Sequence, residues 1–327
     1  METAIDSVLH FLVDYLCAHA MFLRVVAGPE GYTGVLIYNF CAFALQMPLG
    51  ALLDFCAGKP VPLHRMFALF GVVLTILGGF THPAVLGLGN ALFHVGGGVG
   101  VIHEDHARRW QGRGLGVFVA PGALGLFLGG QISVDITIIL AGVMLLLMVP
   151  LFRLPGRESV IPDCPREGSA LIPLLCCFLV VVLRSYVGLA VVFPWKEGFG
   201  MGLVAVCAVV LGKVAGGFSA AQFGTRKTVL ASLSLSAICY LVSNQPIFGV
   251  LALFFFNMTM PVTLYQLALR FPRLPGFSFG LLTFGLFLGF LPVYAGWEAP
   301  VSGAVLGMAG SLASLLLLLP MSRMEEL

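Results

Sequence analysis

His10-Phe-Leu-Val-Asp14-Tyr-Leu-Cys17-Ala-His19 places five titratable side chains inside an apolar run covering about residues 6–26. That run is long enough to cross a bilayer, which takes about 20 apolar residues. At helical spacing His10, Asp14, Cys17 and Arg24 share one stripe (i, i+4, i+7, i+14), with His19 on the opposite side. A charge facing lipid costs roughly 2.5 to 3.5 kcal/mol at a helix centre, so the stripe is expected to face protein or a water-filled cavity. The Phe-Leu-Val core returns in Cys177-Phe-Leu-Val-Val-Val-Leu-Arg184, where Val181 stands for Asp14 and Arg184 for Cys17. Two related halves follow, one bringing an acid and the other a base to a shared interior.

Composition fixes the class. Hydrophobic residues make up 59% of the 327-residue chain and charged residues only 10%, and a mean hydropathy of +1.02 is incompatible with a soluble domain. The expectation is an all-α polytopic membrane protein with twelve apolar segments, at about 6–26, 33–54, 66–81, 83–103, 113–131, 134–152, 170–193, 199–221, 227–243, 246–268, 276–295 and 299–320. A Pro- and Gly-bearing stretch at 154–169 is the one real linker, dividing an N-terminal six-helix bundle (1–153) from a C-terminal one (170–327). The net charge of +2 does not point to nucleic acid, because the basic residues lie in loops between apolar runs. Six of the eight cysteines lie inside apolar runs and read as small core residues. No cleavable signal is expected, since the first segment opens with acidic residues.

Repeats support the division. Gly116-Val-Phe-Val-Ala-Pro121-Gly-Ala-Leu-Gly125-Leu-Phe-Leu-Gly129 matches Gly276-Phe-Ser-Phe-Gly-Leu-Leu-Thr-Phe-Gly285-Leu-Phe-Leu-Gly289 at an offset of 160, and the echo of the first segment lies at 167. A near-constant offset of half the chain marks a tandem six-helix duplication with the two bundles related by a pseudo-two-fold axis. Glycines at these spacings let helices approach closely.

The second segment ends in Gly50-Ala-Leu-Leu-Asp54-Phe-Cys-Ala-Gly58-Lys59, with His64-Arg65 beyond. This resembles the Gly-x-x-x-Asp-x-x-Gly-basic loop motif of the major facilitator superfamily (MFS), although Pro60 interrupts the basic run. Gly216-Gly-Phe-Ser-Ala220 through Arg226-Lys227 is its degenerate second copy. The resemblance implies an MFS fold of twelve helices in which Gly50, Asp54, Gly58, Lys59 and Arg65 latch the halves on the cytoplasmic side. The alternative for Lys59 and Arg65 is a purely topology-setting role. Ala91-Leu-Phe-His94-Val-Gly-Gly-Gly and Leu183-Arg184-Ser-Tyr-Val-Gly188 are similar to stretches of fosmidomycin-resistance-type efflux transporters. The segment around Ala120-Pro121-Gly122 resembles the glycine-proline motif of proton-coupled antiporters, which makes Pro121 a conformational position.

The polar census agrees. Within spans, ionisable residues occur in segments one (His10, Asp14, His19), four (His94), seven (Arg184) and eight (Lys213), with Tyr15, Tyr38, Asn39, Asn90, Asn257, Tyr265 and Gln266 as uncharged companions. Either they line a binding cavity or they serve as structural hydrogen-bonders between helices. Asp14 with His10 is the expected proton-coupling pair. Arg184, Lys213, His94, Tyr15, Tyr38, Asn39, Asn257 and Arg24 are the expected substrate-binding set. With no second-half carboxylate to neutralise them, Arg184 and Lys213 favour an anionic substrate; the alternative is that Arg184 pairs with Asp14 while Lys213 is deprotonated or snorkels. His103-Glu104-Asp105-His106 carries metal-loving side chains that point in different directions on a helix end, so solvated charges are expected there. No nucleophile and base arrangement or phosphate-binding loop supports an enzyme.

The expected activity is secondary active transport of a small, anionic molecule by alternating access, as proton-coupled antiport. The alternatives are uptake by a symporter or facilitator, or a non-transporting receptor or assembly factor. The expected partners are an organic anion, protons and the lipid bilayer, with no nucleic acid, cofactor or metal, and with a monomer as the working unit.

Thirteen of the 17 Lys and Arg (Lys59, Arg65, Arg108, Arg109, Arg113, Arg153, Arg157, Arg166, Arg226, Lys227, Arg270, Arg273 and Arg323) fall in alternate connections and the tail. Positive-inside bias then puts both termini in the cytoplasm of an inner, or cell, membrane. Cysteine-accessibility mapping should place Lys59, Arg109, Arg157, Arg226 and Arg270 there, and an external signal at Arg157 would break both the twelve-span count and the duplication.

Overall fold

The structure, a computed structural model, describes residues 1–26, 28–56, 62–154 and 171–323. Among them every regular element is a helix. The first half comprises α1 (Glu2–Val26), α2 (Gly31–Phe55), α3 (Leu63–Phe80), α4 (Pro83–Ala107), α5 (Arg113–Gly129) and α6 (Thr137–Arg153). The second comprises α7 (Leu171–Ala190), α8 (Gly198–Phe223), α9 (Thr225–Leu241), α10 (Pro246–Arg270), α11 (Pro275–Tyr294) and α12 (Gly303–Arg323). The chain is thus a twelve-helix, multi-pass membrane protein. α5, α6 and α9 are the short members, at the lower limit of a spanning length.

α1 starts a turn earlier than its apolar run. Glu2 is not solvated: its carboxylate accepts from Arg65 Nε at 3.0 Å and Arg65 Nη2 at 2.8 Å, and lies 3.2 Å from His64 Nε2. Arg65 also donates to the Leu154 carbonyl at 2.7 Å. A single guanidinium thereby ties the starts of α1 and α3 to the end of α6.

The main helix pairings of one half recur in the other. α1 packs on α4, α5 and α6 as α7 packs on α10, α11 and α12; α3 packs on α4 and α6 as α9 packs on α10 and α12. The duplicated glycines explain why. A Cβ on Gly125 would lie 2.3 Å from the Phe11 carbonyl oxygen, and one on Gly129 would lie 2.3 Å from that of Tyr15. Their repeats face the same places, Gly285 at 3.3 Å from Phe178 O and Gly289 at 2.4 Å from Val182 O. In lipid no hydrophobic effect drives helices together, so backbone-to-backbone contact across small residues supplies the packing.

The halves meet along two equivalent seams, α2 against α11 and α5 against α8. On the basic side Gly50 lies so close to Gly276 that a Cβ would fall 2.0 Å from its carbonyl oxygen, and Gly217 would meet the Gly112 carbonyl at 2.7 Å. The outer surface is apolar, with Ile138 78% and Val192 82% exposed. α4, by contrast, is buried over 83% of its apolar stretch. The polar residues of α4 are therefore enclosed by protein.

This packing is testable with a matched pair of variants. Gly129→Ala has backbone in its way, and overpacking of this kind costs about 1–3 kcal/mol. Gly142→Ala meets nothing within 4 Å. The thermal midpoint in detergent should fall for the first and stay level or rise for the second, and equal midpoints would contradict the close approach of α5 to α1.

Candidate functional site: a buried histidine and carboxylate cluster facing two cations

The stripe on α1 meets α4 and α5 in the interior. His10, Asp14 and His94 are buried, at 5%, 6% and 7% exposure. His10 Nε2 lies 3.2 Å from Asp14 Oδ2 and 2.9 Å from His94 Nε2, and His94 Nε2 lies 3.6 Å from Asp14 Oδ1. Asn90, one turn before His94 on α4, donates to Asp14 Oδ1 at 2.9 Å and to Cys17 Sγ at 3.6 Å. The Tyr38 hydroxyl of α2 faces the same thiol. A polar chain thus runs from α2 through α1 to α4, and Gly122 of α5 leaves room for it: a Cβ there would fall 2.3 Å from His10 Nε2 and 2.4 Å from Asp14 Oδ2.

α5 contributes through its backbone. Pro121 lacks an N–H, so the helix breaks at Ala120. The last carbonyls of the segment before the break need outside donors. His10 Nδ1 takes the Phe118 carbonyl at 2.7 Å, and Lys213 Nζ, reaching over from α8 in the other half, takes that of Val119 at 3.0 Å. The stretch at Pro121 is therefore where an acid-bearing helix and a base-bearing helix share one piece of backbone.

Lys213 and Arg184 are 9% and 7% exposed. Among the described residues neither has a carboxylate partner, and Arg184 Nη1 has no hydrogen-bond acceptor. Asp14 is instead paired with His10 and His94. The alternative in which Arg184 neutralises Asp14 is not the arrangement seen.

Other expected members lie elsewhere. Arg24 leaves the stripe because Met21–Val26 is a π-helical turn, whose wider winding re-phases the side chains beyond Ala20. Its guanidinium pairs with Asp135 and stacks over Phe80, 5.0 Å from the ring centre. The Thr137 side chain, the Thr137 N–H at 3.0 Å and then Arg24 pull the exposed Asp135 carboxyl down to about 2. That partner stays charged at any physiological pH, which holds Arg24 near the surface. Asn39 and Asn257 bond back to their own helices, at Val35 O (2.8 Å) and Leu253 O (2.9 Å). Tyr15 is buried at 6% exposure, and its hydroxyl has no partner among the described residues.

The acidic pair at the end of α4 is also structural, correcting the expectation of solvated charges. Asp105, only 1% exposed, accepts from Gly112 N at 2.5 Å and Gly114 N at 2.7 Å, holding a tight turn with positive φ at Arg109, Gln111 and Gly112. Glu104 accepts from Thr3 N at 2.7 Å.

Both ends of the α2–α11 seam are tied. On the basic side Asp54 accepts from the N–H groups of Gly276 (2.9 Å) and Phe277 (2.7 Å), capping the N-terminus of α11. Arg65 binds Glu2 within its own half, while Gly58 and Lys59 lie outside the described residues. At the other end Tyr32 and Tyr294 stack with ring centres 4.2 Å apart, and each hydroxyl donates to the other's carbonyl, at 3.2 and 3.0 Å. Nothing in the local sequence announces this pair; only the seam brings it together.

Solved structures share this fold. The MFS transporter FucP in its outward conformation superposes with a TM-score of 0.62 at 12% identity over 99% of both chains. The fold is that of the major facilitator superfamily. The fucose:proton symporter FucP of E. coli gives 0.62 at 14% identity over 99% of both chains. The human organic anion transporter MFSD10 gives 0.62 at 16% identity, over 98% of this chain and 99% of that one. These similar structures are transporters and not enzymes. No protein-family model matches the sequence, and no curated protein matches it.

The two ties should behave as opposite gates. In a cysteine-free background carrying Thr283→Cys at the seam, Asp54→Ala should raise thiol labelling several-fold from the basic side only. Tyr294→Ala should raise it from the other side only. Unchanged labelling in both would show that the seam does not gate.

Proposed function

We propose that this protein is a secondary active transporter of a small organic anion, driven by protons through alternating access. The observation that carries the reading is the pair of buried cations, Arg184 and Lys213, which lack a carboxylate partner among the described residues and stand across the interior from a self-contained acid and histidine cluster. An uncompensated cation inside a membrane protein is costly, and an anionic ligand relieves that cost. The Arg fork suits a carboxylate, phosphate or phosphonate.

Asp14 and His10 are the proton-coupling groups in this reading, with His94 joined to them and not to the substrate set. Arg184 and Lys213 bind the anion, and the break at Pro121 links the two. The resemblance of Ala91 to Gly98 and Leu183 to Gly188 to fosmidomycin-resistance-type proteins speaks for antiport, with efflux as its direction. Symport is the second reading and the one adopted below. It is favoured by one observation: Asp14 takes its partners from its own half and leaves both cations without a carboxylate among the described residues.

Arg184 tests the reading. A hydrogen bond to a charged group is worth about 1.5–3 kcal/mol, or roughly ten- to a hundred-fold in affinity. In proteoliposomes Arg184→Gln should lose about that much apparent affinity for a transported organic anion, and Arg184→Lys less. Asp14→Asn should abolish accumulation driven by a pH gradient while retaining exchange. Normal transport by both Arg184→Gln and Lys213→Gln, or preference for organic cations, would overturn the assignment.

A further inference from the structure

The two imidazoles of the cluster are each fixed at one nitrogen by a group that can only accept. His10 Nδ1 faces the Phe118 carbonyl at 2.7 Å and His94 Nδ1 faces the Asn90 carbonyl at 2.8 Å. Both Nδ1 atoms therefore carry hydrogen. In a neutral imidazole the other nitrogen is then a bare acceptor. The two Nε2 atoms nevertheless lie 2.9 Å apart, a hydrogen-bond distance at which two lone pairs would repel. A proton must lie between them.

A metal ion could also join these atoms. The ligand atoms of His10, Asp14 and His94 all lie within 4.8 Å of one another, and a carbonyl on the far ring nitrogen is what metal-bound histidines have. Two observations weigh against it. Nitrogens sharing a tetrahedral ion at about 2.0–2.1 Å stand about 3.3 Å apart, wider than the spacing here. The nearest charge from the other half, Lys213 with Arg184 beside it, is positive, which disfavours a divalent ion.

We propose that one proton shared by His10 Nε2 and His94 Nε2, balanced by the Asp14 carboxylate, is the proton that the transport cycle loads and unloads, and that it binds together with the anion. This rests on the reading of the protein as a proton-coupled anion transporter and moves the carrier from the carboxyl to the imidazole pair. The titratable and charged groups facing the pair are Asp14 and Cys17 on α1, Tyr38 on α2 and Lys213 on α8, with Arg184 of α7 beside Lys213; α5 presents the Phe118 carbonyl and Gly122.

With the proton in place the cluster is neutral, and Arg184 and Lys213 are free for a ligand. When the proton leaves, Asp14 loses its counter-charge. The cation then nearest to it is Lys213, which stands beside Arg184, so the carboxylate competes with the anion for that cation. Each ligand favours the other, and by linkage the effect is reciprocal. That sign belongs to co-transport, where antiport would need the proton and the anion to exclude one another.

The test uses ¹⁵N-histidine-labelled full-length protein in lipid nanodiscs. In the wild type, His10 and His94 should each show a protonated Nδ1, with their Nε2 signals joined by one strongly downfield proton; His10→Gln and His94→Gln should each remove that proton. Two unprotonated Nε2 signals in the wild type would overturn the proposal, and so would stoichiometric zinc binding that shifts both.

The anion arm uses sulfate, which is small and does not buffer near neutral pH. It is added at the pH where the shared-proton signal is half its maximum. Recovery of the signal with proton uptake is expected, and its absence in Arg184→Gln. No change, or further loss, overturns co-binding. Failure of the shared-proton signal would leave Arg184-dependent transport standing, whereas an intact signal with no effect of Arg184 on flux would overturn the transport reading instead.

Discussion

A carboxylate in the interior of a membrane bundle has to be neutralised, and the way Asp14 meets that requirement organises the rest of the molecule. Its partners, His10, His94 and Asn90, all come from α1 and α4. A partner in the other half would lock the two bundles together, because breaking a buried pair leaves an uncompensated charge at a cost of several kcal/mol. Local neutralisation leaves the halves free to move relative to one another. It also leaves Arg184 and Lys213 without a carboxylate partner among the described residues, and in the proposed reading an anionic ligand offsets that imbalance.

The contacts between the halves are correspondingly of a kind that can be released. Along α2 and α11 they consist of glycine backbones in contact, a carboxylate on helix N–H groups at one end and a pair of stacked tyrosines at the other. None requires a buried ion pair to be broken. Lys213, which donates to the Val119 carbonyl at the Pro121 break, joins the two halves at the level of the cluster. A change in the position of that helix break therefore moves the His10 and Lys213 acceptors together, which gives the histidine cluster and Lys213 a shared mechanical element.

Much of this was legible in the sequence, for stated physical reasons. Apolar length and basic-loop periodicity fix the spans, because the bilayer imposes both. The Gly-Leu-Phe-Leu-Gly repeat has a direct counterpart in the paired approach of Gly129 to Tyr15 and of Gly289 to Val182. The stripe of His10 and Asp14 holds because α1 is regular up to Ala20. Arg24 was misplaced because a π-helical turn leaves no reliable trace in hydrophobic periodicity. Asn90 stands among the uncharged companions and outside the expected binding set, although its place one turn before His94 is a usable signal. The Tyr32 and Tyr294 clasp and the Asp105 cap depend on contacts that no local pattern encodes.

The most direct measurement is accumulation of small organic anions by proteoliposomes with and without an imposed pH gradient. The account predicts that at least one carboxylate or phosphonate accumulates only when the gradient is present, with proton movement in the same direction as the anion. Accumulation of organic cations in its place, or anion flux indifferent to the gradient, would contradict it.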